Sequence, residues 1–112
     1  MNMNLEVEVA EKNKTTVLVL LTGEVDAYTA PKLKENLLPL TKKEGTLIEV
    51  NLENVSYMDS TGLGVFISAL KSTKANNSQL KLMNLEDRIL RLFEITGLDS
   101  IITIDSTVRG GN

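Results

Sequence analysis

Leu5, Val7 and Val9 alternate with Glu6 and Glu8. This period of two predicts a half-buried strand, and its row of carboxylates discourages pairing with another chain, which places it at the edge of a sheet. Val17 to Leu21 is a continuous apolar run ended by Thr22-Gly23, the pattern of a central strand covered on both faces. Thr29-Ala30-Pro31 sets a capping hydroxyl before a proline that a first helical turn tolerates, and Ala30, Leu33, Leu37 and Leu40 then recur at helical spacing. Pro39 has no amide hydrogen and crowds the preceding turn, so this first helix ends or kinks near Leu38. Thr46 to Leu52 returns to strand character, with Ile48, Val50 and Leu52 on one face.

A second helix is predicted over Thr61 to Lys74, its buried stripe formed by Leu63, Phe66, Ile67 and Leu70. At about 100° per residue, Thr61, Val65, Ser68 and Ser72 fall on the opposite side, a strip of small uncharged side chains with one exposed valine. After the turn-rich Ala75-Asn76-Asn77-Ser78, a short strand spans Leu80 to Met83. Asn84 and Asp87 have the spacing of a capping pair for a third helix, which turns Ile89, Leu92 and Phe93 inward and stops near Gly97. Ile101 to Ile104 is a last strand, and residues 106–112 read as a frayed polar tail. The order β-β-α-β-α-β-α-β, with helical crossovers, implies an α/β domain built on a mixed, mainly parallel sheet with helices packed on it.

At 112 residues and 12.3 kDa the chain suffices for one domain, residues 1–112. It has no cysteine and no histidine, which removes thiolate chemistry, the usual proton shuttle and the commonest metal ligand. A net charge of -3 and a pI near 4.9 without a basic stripe argue against nucleic acid as a partner. No apolar run approaches the roughly 20 residues of a membrane helix, and Met1 to Leu5 does not resemble a secretory signal, so a cytoplasmic protein is expected.

Candidate chemistry gathers at Asp59-Ser60-Thr61-Gly62-Leu63-Gly64. From Ser60 to Leu70 no residue is charged, although charged residues make up 24% of the chain, so this surface is suited to contact with something other than water. Either hydroxyl, Ser60 or Thr61, is placed to cap the second helix. Either is equally a candidate phosphoacceptor beside an uncharged surface. Gly62 and Gly64 each lower helix propensity by about 1 kcal/mol relative to alanine. They allow close approach either by a partner or by the sheet beneath. A hydrolase has little support, because no histidine can serve as base and Asp-Ser-Thr-Gly does not match a nucleophile elbow. Glu24, Asp26 and Asp59 could in principle hold Mg²⁺, but solvated loop acids are the simpler reading, and no metal site is assigned. Tyr57 and Met58 read as core or rim, and Lys32, Lys34, Lys42 and Lys43 as a solvated face.

Three stretches, Gly23-Glu24-Val25-Asp26-Ala27-Tyr28-Thr29-Ala30-Pro31, Val55 to Phe66, and Arg91-Leu92-Phe93-Glu94-Ile95-Thr96-Gly97-Leu98, carry a resemblance that extends over nearly the whole chain. It resembles the bacterial anti-sigma-factor antagonists that consist of a single STAS domain, most closely those of the sigma-B general stress pathway (the RsbV family). The resemblance implies partner switching and positive regulation of stress-response transcription. The unphosphorylated antagonist binds an anti-sigma factor that is also a serine kinase, and the sigma factor is released. The kinase uses its own ATP to phosphorylate the antagonist and so reverses this, and a PP2C-type serine phosphatase restores it. On this pattern the chain is a substrate and ligand rather than an enzyme and needs no cofactor of its own. Ser60 would be the phosphoacceptor, with Thr61 a minor candidate. Asp26, Asp59, Thr61, Gly62, Leu63, Gly64, Val65 and Ser68 would border the kinase contact. The alternative is a non-switching STAS scaffold or sensory subunit in which Ser60 is only a helix cap. The resemblance also implies a terminal helix, for which few residues follow the last predicted strand.

Overall fold

A computed structural model of the chain describes residues 4–105; the expected tail, 106–112, lies outside the described residues. Five strands form one sheet in the order β1 (Leu5–Glu11), β2 (Thr16–Val25), β3 (Leu47–Met58), β4 (Gln79–Met83) and β5 (Thr103–Asp105). Strand β1 is antiparallel to β2, and the remaining pairings are parallel. Three helices fill the crossovers: α1 (Ala30–Leu37), α2 (Ser60–Asn76) and α3 (Asp87–Ile95). Since β2 to β5 lie side by side in chain order and parallel crossovers are right-handed, all three helices fall on the same face. Phe66 of α2 and Phe93 of α3 meet edge to face there, with ring centroids 6.0 Å apart.

This one-sided layering corrects the reading of β2. It is an interior strand, with Val19 and Leu21 buried beneath the helices, but Leu18 and Leu20 point to the other face and are only half-buried. Thr22-Gly23 does not end the strand either. The register slips there, Gly23 adopts a φ of 125°, and a Cβ on it would sit 2.1 Å from the Asn4 carbonyl oxygen, so the strand continues to Val25 only because this residue is glycine. Strand β3 likewise runs six residues past Leu52, held on one side by β2.

Helix α1 stops at Leu37, and Pro39 lies in the 3₁₀ turn Leu38–Lys42 that continues it, as its missing amide requires. Thr29 stands at the cap position without capping; its hydroxyl donates to the Glu24 carbonyl (2.7 Å) and accepts from the Asp26 amide (2.9 Å). Lys32 is not merely solvated, for its Nζ donates to the Leu5 carbonyl at 2.7 Å and fastens α1 to β1.

Val65, expected to be exposed, is buried at 6%. The reason is that α2 has two covered sides: Leu63, Phe66 and Ala69 are buried in the core, while α1 and the 3₁₀ turn pack along the strip of small residues. Ser72 of that strip meets the Thr41 hydroxyl at 2.6 Å. The capping pair at the start of α3 does not form. Asn84 takes a φ of 60° and donates to Asn51 Oδ1 (3.1 Å), and Glu86 occupies the cap position without a side-chain bond. Ile89 and Phe93 are buried and Leu92 half-buried, and Gly97 is left-handed (φ 77°) as expected. The last strand begins later than the pattern suggested, leaving Ile101 outside it and exposed.

Candidate functional site

At the carboxyl ends of β2 and β3 the chain turns twice, into α1 and into α2, and the two turns are neighbours. The Asp59 amide donates to the Val25 carbonyl at 3.2 Å, joining the end of β3 to the end of β2. Asp59 then has extended backbone (φ -116°, ψ -172°) and is the N-cap of α2. Its Oδ1 accepts from the amides of Thr61 (2.9 Å) and Gly62 (3.2 Å). An oxygen reaches those two amides only from the residue immediately before the helix. Ser60 and Thr61 lie one and two positions too late, so neither caps, and both are exposed. The cap expected of a hydroxyl is made by a carboxylate.

The two glycines have different surroundings. A Cβ on Gly62 would lie 2.6 Å from Val25 Cγ1 and 2.9 Å from Met58 Cγ, so α2 rests directly on the strand ends at this residue. A Cβ on Gly64 would meet nothing within 4 Å. Gly62 therefore answers to packing, and Gly64 leaves open surface.

Asp26 is no solvated loop acid: it is 4% exposed. Its Oδ1 accepts from the amides of Tyr28 (2.9 Å) and Thr29 (3.0 Å), which folds the loop between β2 and α1, and its buried Oδ2 has no hydrogen-bond partner among the described residues. The tip of this loop is Tyr28, 85% exposed. Its signal in the sequence is an aromatic residue in a turn with no apolar periodicity to bury it.

Between α1 and α2 lies a shallow groove of about 340 Å³. Ala30, Pro31 and Lys34 form one wall, Thr61, Gly64 and Ser68 the other, and Val65 also lines it. Leu63 faces the core beneath. The structure thus brings Thr61, Gly64, Val65 and Ser68 together on one groove with Asp59 and Ser60 at the start of the same helix, whereas Asp26 and Gly62 support the turns from inside. Lys34, grouped in the sequence with solvated lysines, belongs to the groove wall. Among the described residues no group of three or more acidic side chains could hold a metal ion, and no helix is long and apolar enough to cross a membrane.

Residues 6–111 match the family model described as the STAS domain. The chain is 51% identical over 113 residues to the anti-sigma-B factor antagonist of Listeria monocytogenes, covering 98% of this chain and 99% of the relative. It is 46% identical over 111 residues to the anti-sigma-B factor antagonist of Bacillus subtilis, covering 99% and 98%. In fold it is similar to the anti-sigma factor antagonist SpoIIAA in its unphosphorylated form, with a TM-score of 0.75 at 21% identity over 94% of this chain and 97% of that one. The phosphorylated form of SpoIIAA, from Bacillus, superposes with a TM-score of 0.70 at 20% identity, over 94% and 96%.

Proposed function

We infer the function from one premise: this chain belongs to the STAS domain family, among the anti-sigma-B factor antagonists. It is an anti-sigma-factor antagonist working by partner switching. Its unphosphorylated form binds an anti-sigma factor that is also a serine kinase, and the sigma factor is released for stress-response transcription. The kinase, with its own bound ATP, phosphorylates Ser60 and ends the contact, and a PP2C-type phosphatase restores it. The chain itself is ligand and substrate.

One observation carries this reading: Ser60 is an exposed hydroxyl at the first position of α2, released from capping by Asp59, beside a groove that holds no acidic side chain and one lysine, Lys34. A phosphate there adds about -1.5 to -2 charge at the mouth of a contact surface next to the Asp59 carboxylate. A doubled negative charge meeting an acidic or apolar patch of a partner costs several kcal/mol, and about 3 kcal/mol already means more than a hundredfold weaker binding. Asp59 and Tyr28 would border that contact, with Thr61, Gly64, Val65 and Ser68 along the groove, while Asp26, Gly62 and Leu63 shape it from beneath.

The test is to incubate the chain with the anti-sigma kinase of its own cell and ATP, and to map phosphate on the fragment from Val55 to Lys71. Phosphate on Ser60, a Ser60→Ala variant that binds but is not modified, and a Ser60→Asp variant that fails to bind are expected. Tight kinase binding by the Ser60-phosphorylated chain would overturn the reading, and phosphate confined to Thr61 would move the site.

A further inference from the structure

Strand β3 is twelve residues long, but β4 pairs only with its first part, Leu47 to Asn51. From Asn54 to Met58 the strand is bonded to β2 on one side, and on the other no backbone partner is present among the described residues. A strand edge without a neighbour is a template for a further strand. Helix α3 runs alongside it, and the space between them is an apolar slot of about 280 Å³. Tyr57 and Met58 line it from the strand, Leu92 and Ile95 from the helix. Tyr57 is 45% exposed and Ile95 75% exposed, so two large apolar side chains face water at one place.

Arg88, Arg91, Leu92 and Ile95 follow one stripe of α3 at spacings of three, four and seven residues. The two arginines are exposed, and neither is in a salt bridge among the described residues. They are the two charged residues that line the apolar slot itself, while Glu86 and Asp87 share a neighbouring depression with them. Helix residues three apart are about 5 Å apart along the axis, and alternate side chains of a strand about 7 Å, a mismatch that flexible arginine stems span.

We propose that this slot is a second docking surface, taking an extended partner segment of alternating apolar and acidic residues by strand addition to the free edge of β3. It lies apart from the α1–α2 groove and does not depend on the Ser60 reading. A second copy of the chain is the poorer occupant, because symmetric edge-to-edge pairing would bring Arg88 and Arg91 of both copies together.

The test uses the full chain, isotope-labelled, with a blocked heptapeptide of alternating valine and glutamate as probe and a valine–lysine peptide as control. Amide shifts confined to Ser56 to Met58 and α3 are expected with the glutamate peptide. Arg88→Glu combined with Arg91→Glu, two exposed changes, should weaken that binding at least about tenfold while the rest of the spectrum is unchanged. No shift at millimolar glutamate peptide, equal binding of the lysine peptide, or a concentration-dependent dimer that moves the same amides would overturn the proposal.

Discussion

At Asp59 and Ser60, adjacent residues divide two tasks. The carboxylate satisfies the amides of Thr61 and Gly62, so Asp59→Ala should cost about 1 kcal/mol of stability, the usual loss of an N-cap. Ser60→Ala should stay within about 0.5 kcal/mol, as an exposed substitution without a lost bond does. Urea unfolding of the two variants checks this pair, and a Ser60→Ala loss equal to that of Asp59→Ala would return Ser60 to a capping role. The glycines separate in the same way. Gly62→Ala forces a methyl against Val25 and Met58 and should destabilise by about 1–3 kcal/mol. Gly64→Ala meets nothing and should stabilise by up to about 1 kcal/mol through helix propensity, while weakening the anti-sigma kinase contact that the groove is proposed to make. Thermal unfolding and a binding titration on each variant read both effects.

Helix α2 was half legible from its own pattern. Leu63 and Phe66 sit where the period of 3.6 put them, but Val65 and Ser72 were assigned to an open side that α1 and the 3₁₀ turn cover. Periodicity registers a buried side by its large apolar residues, and a second covered side made of small ones looks like a wet surface. Thr41 shows what such packing depends on. It is fully buried, its hydroxyl donates to the Leu38 carbonyl (2.6 Å) and accepts from Ser72, and its carbonyl accepts from the Ser78 hydroxyl (2.7 Å). Thr41→Val keeps the shape and removes the two hydroxyl bonds to the Leu38 carbonyl and Ser72, so a loss of about 1–3 kcal/mol is expected in urea unfolding, with the groove unaltered. Thr41 is not legible in the sequence because two of its three partners, Ser72 and Ser78, are brought to it from 31 and 37 residues away.

Over the whole molecule, consecutive parallel strands with right-handed crossovers carry all helices to one face and bring the turns after β2 and β3 together at the carboxyl ends of the strands. The candidate site is therefore at the rim of a finished fold, outside the core. Phosphorylation at the exposed Ser60 should accordingly shift the melting temperature by no more than about 4–8 °C, the equivalent of 1 kcal/mol in a domain of this size. Calorimetry of the phosphorylated and unmodified chain, beside a kinase-binding titration, checks this; unfolding on phosphorylation would replace interface control by loss of structure.

The order of strands and helices, the break at Pro39, the left-handed turn at Gly97 and the uncharged hydroxyl-bearing segment were legible in the chain, because each follows from residue type and spacing within a few positions. It also carried the family, through motifs spread along the chain. That Asp59 rather than a hydroxyl is the cap, that Asp26 is buried, that Gly62 packs while Gly64 stays open, and that β3 overhangs β4 beside α3 emerge only in the folded chain. Each of these depends on what another element, distant in sequence, places within a few ångströms, and periodicity along one segment contains no term for its neighbours.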